Sequence, residues 1–397
     1  MRDRERELER GRGRKGKEDE GDREVTPPPV PSPSPEYLAL AADAPSTLSE
    51  ISSSRKLLVL DLNGTLVFRS PHSSRTRNRG FPRLRPTYPR PYMRAFREYL
   101  FAPETKAWLD VMVWSSAQPH SVGDMVDKCF GSWKRELVAV WARDTLGLSN
   151  DHYHRKVQTL KDLSRPCVAP QVHSALTTLL LDDSPSKAAL QPYNHFCIPE
   201  YTQERRNKDL DSFQKEQEWL LALERRKLLQ AQLTKDEKAA QKESRNAKRR
   251  KHFEEPMLTP EVKRPDLSYD ETLLAVVGVL DEVHCQRNVA AWVRAGGLWG
   301  PGGVPTHLKQ AVRERSAEEG DAVMEVDEST ARPAGNDEVT QTAPTDSKGI
   351  ADLPADAPEA PAALMWFEDS EVIVYWATRG REALETLGIP VEHGMEG

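Results

Sequence analysis

The stretch LLVLDLNGTLV, Leu57 to Val67, decides how this chain is read. Leu57, Leu58, Val59 and Leu60 predict a strand buried on both faces, with Asp61 at its carboxyl end and Asn63, Gly64 and Thr65 turning the backbone. In an open α/β sheet, ligands bind outside the carboxyl ends of the strands. A carboxylate delivered there, followed by a glycine turn and a hydroxyl, suits an Asp that attacks phosphorus and a backbone that cradles phosphoryl oxygens. By itself the same stretch also fits a buried strand ending in an Asx-turn, so the decision passes to the chain downstream.

Downstream the pattern repeats. Residues 69–91 are crowded with Arg and Pro and predict a loop or flap beside the site. Arg90 and Pro91 open a helix with Phe96, Tyr99 and Leu100 on one side. Val111 to Trp114 make a second apolar strand ending in Ser115 and Ser116. A helix over 122–130, a strand over 137–141 and a segment carrying Lys156 and Lys161 follow. Residues 176–181 then make a third buried strand, ending in Asp182, Asp183, Ser184 and Pro185. Apolar strands alternating with helical stretches predict a doubly wound parallel sheet in an α/β fold.

With 397 residues, 30% of them charged, 30 prolines and a mean hydropathy of -0.67, the chain is expected to hold one main domain with long unordered tails. Residues 1–54 read as an unordered leader, 55–202 as the domain, 203–255 as a charged helical insertion and 269–300 as a closing helical segment. Residues 315–362 read as an acidic linker and 363–393 as an amphipathic helix. That last helix either docks on the domain, the default, or grips a protein partner. The net charge of -6 and pI near 6.0 argue against nucleic acid as a partner. No apolar run reaches the roughly 20 residues of a membrane span. Four widely spaced cysteines indicate neither zinc nor a disulfide framework.

The segments KDLSRP (161–166) and LLLDDSPSKAALQPYNHFCIPEY (179–201), with RPYMRAFREYL (90–100) and VMVWSSA (111–117), resemble the catalytic domain of the RNA polymerase II CTD phosphatases. Their small-CTD-phosphatase relatives, the NLI-interacting-factor-like family of the haloacid dehalogenase superfamily, share the likeness. DETLLAVVGVLDEV (270–283) is similar to that family's closing helix. The resemblance implies a haloacid-dehalogenase-like fold with Mg²⁺ as cofactor and a phosphorylated protein or peptide as partner. It further implies Asp61 as nucleophile, Lys161 neutralising charge on the transferring group, and Gly64, Thr65 and Ser115 binding phosphate. Asp61, the backbone carbonyl of Asn63, Asp182 and Asp183 would hold the metal.

One residue departs from the family's Asp-x-Asp-x-Thr motif. Where the second Asp would protonate the leaving alkoxide and later activate water, this chain has Asn63, and a carboxamide neither gives nor takes a proton near neutral pH. The expectation is a slow Mg²⁺-dependent protein serine/threonine phosphatase. The alternative is an impaired phosphatase-like scaffold, resembling the phosphatase-like receptor of the mitochondrial presequence translocase. The first fits a nuclear or cytoplasmic setting, the second the mitochondrial inner membrane.

Overall fold

The computed structural model describes residues 31–49, 54–71, 85–155, 157–166, 173–244, 262–304 and 365–396. The chain divides into two units, Met1–Ser32 and Pro33–Gly397, and of the first only residues 31 and 32 are described. The second is built on five parallel strands in the order β5-β4-β1-β6-β7. These are β1 (Lys56–Leu60), β4 (Leu109–Trp114), β5 (Ala139–Trp141), β6 (Thr178–Asp182) and β7 (His195–Cys197). β1 lies in the middle, Leu57 to Leu60 in register with Thr178 to Leu181 of β6 on one side and with Asp110 to Val113 of β4 on the other. After β5 the chain crosses back to β6, so the strand order reverses beside β1. Ligand crevices of doubly wound sheets open at such a reversal.

Strand alternation divides the core between the sheet's two faces. Leu58, Leu60, Val111, Val113, Leu179 and Leu181 belong to the larger cluster. It is covered by α2 (Met93–Phe101), α4 (Pro119–Phe130), α7 (Thr272–Val283), α8 (Val289–Arg294) and α9 (Ser370–Thr386). Leu57, Val59, Met112, Trp114 and Leu180 face the smaller cluster, covered by Leu163 and Ala188 from connecting segments. The short helices α3 (Pro103–Lys106) and α5 (Asn150–Tyr153) are surface turns of the connections.

Several expectations change in detail. Helix α2 starts at Met93 rather than Arg90, because Tyr92 takes a left-handed φ of 63° and Arg90 is drawn into the core. The Arg90 guanidinium, 1% exposed, donates to Thr65 O, Pro199 O, Asp270 Oδ2 and Thr272 Oγ1, tying the turn after β1 to the start of α7. Within the stretch expected to stay unordered up to residue 54, residues Pro35–Ala41 form α1, capped by Ser34. Tyr37 and Ala41 give it an apolar side that packs on Ala290, and Tyr37 Oη accepts from the Tyr193 amide at 2.9 Å.

The flap expected over 69–91 contributes two strands, β2 (Val67–Arg69) and β3 (Thr87–Pro89), paired antiparallel; residues 72–84 between them lie outside the described residues. Residues 289–299 do not continue α7. Asn288 caps a new helix by accepting from the Ala291 amide.

Helix α6 (Gln203–Ser244) is anchored at its start, where Asp209 and Ser212 are buried, and its Leu220, Leu221, Leu228, Leu229 and Leu233 are exposed. The basic run beginning at Arg245 and the acidic linker over 315–362 lie outside the described residues. No helix among the described residues is long and apolar enough to cross a membrane.

Lys56, the first residue of β1, is fully buried, and its Nζ has no hydrogen-bond partner among the described residues. Burial pushes its pKa down to about 8, against a weaker opposing pull from Cys285. Between about pH 8 and the ordinary lysine value the unfolded chain binds more protons than the folded one, so stability rises with pH through that window. Lys56→Met, which keeps the volume and removes the charge, should raise unfolding stability at pH 7 by ~1–3 kcal/mol. It should also flatten the rise above pH 8. Urea melts at pH 7 and pH 9.5 check both, and lower stability at pH 7 would mean that the ammonium has a partner.

Candidate active site

Three strands end in polar residues on the same edge of the sheet. Asp61 follows β1, Ser115 follows β4, and β6 ends in Asp182 with Asp183 after it. Register brings them together: Leu60 pairs with Leu181 and with Val113, so Asp61 and Asp182 follow at one level and Ser115 stands one residue beyond it on β4. Asp61 is held by its own amide, which donates to Leu181 O at 2.9 Å, and Ser115 by its amide on Trp141 O at 3.0 Å. They line a cavity of about 280 Å³ with Asn63, Asp182, Asp183, Ser116, Ser184, Lys187, Arg69 and Arg85. A larger depression of about 850 Å³ lies elsewhere, along α7 and α9. There Arg379 pairs with Asp281 and with the nearby Glu282, and among the described residues its lining brings no lysine or strand-end acid together.

Lys161 comes from a connecting segment rather than a strand end, with its amide donating to Lys187 O at 2.8 Å. Its fully buried Nζ donates to Asp61 Oδ1 at 2.8 Å and to Asp182 Oδ2 at 2.5 Å. Burial alone would lower the lysine's pKa, but the attraction of Asp182 and Asp61 outweighs it and holds the ammonium above its ordinary value. The two acids thus favour the charged form of the lysine between them. Thr65, also fully buried, donates its hydroxyl to Asp183 Oδ1 at 2.8 Å.

Gly64 has a φ of +90°, and a Cβ there would stand 2.7 Å from an Asp183 carboxylate oxygen. The conformation and the close approach both call for glycine. Its amide donates to Val67 O and its carbonyl accepts from the Tyr201 amide, which fixes the turn. Asn63, between the buried Leu62 and Gly64, is exposed to the cavity.

The carboxylates crowd one another. Burial pushes Asp61 upward, with Lys161 pulling it back only part of the way and Asp182 adding to the push. Asp183 is pushed up to about 7 by burial and by Asp61 and Asp182, against the Thr65 hydrogen bond. Among the described residues no three His, Cys, Asp or Glu side chains form a metal-binding group by themselves. A hard cation of the Mg²⁺ type does not need one, because it is commonly held by one or two carboxylates with waters and substrate phosphate. Two acids strained upward beside an exposed carbonyl-bearing turn fit such an ion.

Sequence reasoning brought out eight candidate residues; Asp61, Asn63, Ser115, Asp182 and Asp183 line the cavity, while Lys161 stands behind it on Asp61 and Asp182, and Gly64 and Thr65 stand against Asp183. It missed Lys187, Arg69 and Arg85. Lys187 sits in the turn after β6 with Nζ donating to Thr159 Oγ1, and DSPSK carried that signal, a lysine five residues beyond the strand's last acid. For the two arginines the sequence offered only an Arg-rich flap, with nothing to say which of its arginines turn inward.

Residues 56–226 match the family described as NLI interacting factor-like phosphatase. An uncharacterised FCP1 homology domain-containing protein of Schizosaccharomyces pombe is 34% identical over 167 residues, which cover 39% of this chain and 65% of that protein. The matched segment runs from the first residue of β1 into α6 and so contains every site residue above. The segment that holds the central parallel sheet and the convergence of Asp61, Thr65, Lys161, Asp182 and Asp183 is thus similar to the NLI interacting factor-like phosphatase family, and its fold is consistent with the haloacid-dehalogenase-like type.

Proposed function

We propose that the domain is a Mg²⁺-dependent phosphomonoester hydrolase acting on phosphorylated protein through an aspartyl-phosphate on Asp61, and that Asn63 makes it slow. The observation that carries the reading is the Lys161 ammonium bridging Asp61 and Asp182 across 100 and 21 positions of sequence. Buried carboxylates of like charge cost stability unless a ligand compensates them. Asp61, Asp183 and the Asn63 carbonyl would hold Mg²⁺, with Asp182 fixing Lys161. The ion would supply charge neutralisation on the phosphoryl oxygens.

In the first half-reaction Asp61 attacks phosphorus, an Asp61 O–P bond forms, the ester P–O bond breaks, and the alkoxide leaves with the bonding pair. Lys161, Thr65 and Ser115 would stabilise charge on the transferring group. The alkoxide must then take a proton, and the water that later cleaves the Asp61 acyl-phosphate must lose one. Asn63 can do neither. Among the described residues the acids lining the cavity are Asp61, Asp182 and Asp183, all given other work above. Asn63 is also the observation that favours a second reading, a domain that binds phosphorylated protein with negligible turnover.

Beryllofluoride with Mg²⁺ mimics the acyl-phosphate and should raise the melting temperature by about 5–10 °C at a hundredfold excess over its dissociation constant. Asp61→Asn should abolish the shift. No shift in the unmodified protein, or an equal shift in the variant, would remove Asp61 from the chemistry.

A further inference from the structure

The cavity holds more positive charge than phosphoryl transfer uses. A phosphate dianion and a divalent cation balance each other, and the three carboxylates outnumber Lys161 and Lys187 by one. Arg69 and Arg85 offset that carboxylate and leave one positive charge over. Arg69 is only 8% exposed, lines the cavity, and has an Nε with no hydrogen-bond partner among the described residues. Arg85 donates Nε to Ser70 O at 2.5 Å and Nη2 to Arg69 O at 3.2 Å, which holds its guanidinium against the Arg69 backbone, within electrostatic reach of the Arg69 side chain.

Neither arginine forms an ion pair with a described residue; Asp124, which accepts weakly from Thr87 Oγ1 at 3.4 Å, is the acid that acts on Arg69 from a distance. Burial and the neighbouring Arg85 together disfavour the Arg69 charge more than Asp124 restores it. Residues 72–84, which join the two arginines along the chain, contain no Asp or Glu that could neutralise them.

The pair sits on a fixed platform. Phe68 and Tyr88 stack across β2 and β3 with centroids 6.3 Å apart, and the Arg206 guanidinium of α6 lies 3.7 Å from the Tyr88 ring centroid. By strand alternation Arg69 is on the other side of the ribbon from Phe68, toward the cavity.

Two partly desolvated guanidiniums that line one cavity, with no counter-ion among the described residues, can receive a second oxyanion. We propose that Arg69 and Arg85 select substrates whose phosphorylated residue has a second anionic group close by, a neighbouring phosphoryl or carboxylate on the same peptide. The proposal rests on the phosphatase-like reading of the cavity and adds its substrate class. A cavity of about 280 Å³ has room for a phosphorylated side chain and one further small group, and is small for a larger cofactor.

The test uses the full chain with Mg²⁺ and three peptides: one phosphoserine with neutral flanks, the same with a second phosphoserine two residues away, and the same with Glu there. Peptide affinity and phosphate release are both measured. The doubly anionic peptides should bind about 10-fold or more tighter than the neutral-flanked one, the advantage shrinking as salt is raised. In the Arg69→Ala/Arg85→Ala double variant it should fall below about 3-fold. The phosphoserine and Glu arms show which oxyanion the pair prefers.

Equal affinity for all three peptides overturns the inference, and because that comparison is made on the unmodified protein it stands even if the double variant misfolds. A beryllofluoride shift with equal peptide affinities overturns the second-anion site and leaves the phosphatase reading intact. A preference for the doubly anionic peptides without beryllofluoride shift or phosphate release supports the second-anion site and overturns the hydrolytic reading.

Discussion

Asn63→Asp should accelerate hydrolysis of a phosphoserine peptide by about 10²–10⁴-fold, the usual contribution of a positioned general acid and base. The gain should be much smaller on an aryl phosphate, whose leaving group is stable as the anion and hardly needs the proton. Asn63 faces the same cavity as Asp61, and Gly64 with φ +90° fixes the turn that carries it, so the new carboxyl inherits the position of the amide it replaces. The unmodified protein should accordingly favour aryl phosphate over phosphoserine peptide, and the variant should narrow that gap. Equal rates on the two substrates before substitution, or no response to it, would mean that another group supplies the proton. The Asn63-Gly64 pair brings a chemical hazard, because an unhindered glycine amide can attack the carboxamide and convert Asn63 to Asp on storage. Intact mass belongs beside every rate.

Gly380→Ala should destabilise the domain by ~3 kcal/mol or more and lower its melting temperature by about 6–12 °C. Gly380 of α9 and Gly278 of α7 meet where the two helices cross. A Cβ at 380 would stand 2.0 Å from the Leu274 carbonyl oxygen, and one at 278 would stand 2.1 Å from Trp376 O. Both obstacles are backbone, so no side chain can swing aside and the helices must part. Their separation would strip cover from Trp376, 1% exposed with its Nε1 donating to Leu298 O at 2.8 Å, and from Ala377 and Leu384.

Gly123→Ala on α4, where nothing lies within 4 Å of the new Cβ, supplies the contrast: it should leave stability unchanged or raise it by up to ~1 kcal/mol. Thermal melts of the two variants side by side distinguish a steric clash from a general cost of losing helical glycine. Similar losses in both would refute the close crossing. Truncation before residue 365 should resemble Gly380→Ala, because Trp366 anchors the segment through Nε1 on Cys197 O at 2.8 Å.

The strands were legible because their signals are local. Leu57 to Leu60, Val111 to Trp114 and Leu179 to Leu181 are apolar runs short enough for strands and buried on both faces, and each is followed by the polar residue that marks its carboxyl end. The order of Asp61, Thr65, Ser115, Lys161 and the two acids at 182 and 183 likewise carried the site, since a set in sequence order says more than any member. Helix starts were less legible. Arg90 looked like the opening of a helix because Pro91 suits a first turn. Its actual position depends on Asp270 and Thr272, some 180 residues further on, which take its guanidinium. The helix at 35–41 was hidden for a related reason: its partner surface, Ala290 and Tyr193, comes from far along the chain.

By itself the sequence determined the parallel sheet, the carboxylate at the end of its middle strand and the loss of an ionisable group at Asn63, because hydrophobic periodicity and side-chain chemistry are properties of residues and near neighbours. Only the tertiary structure decided that Lys161 stands between Asp61 and Asp182, that Arg69 and Arg85 share their cavity with no counter-ion among the described residues, and that the C-terminal helix lies against α7 through paired glycines. Those facts depend on distances between groups far apart in the chain, which packing fixes and no local pattern encodes.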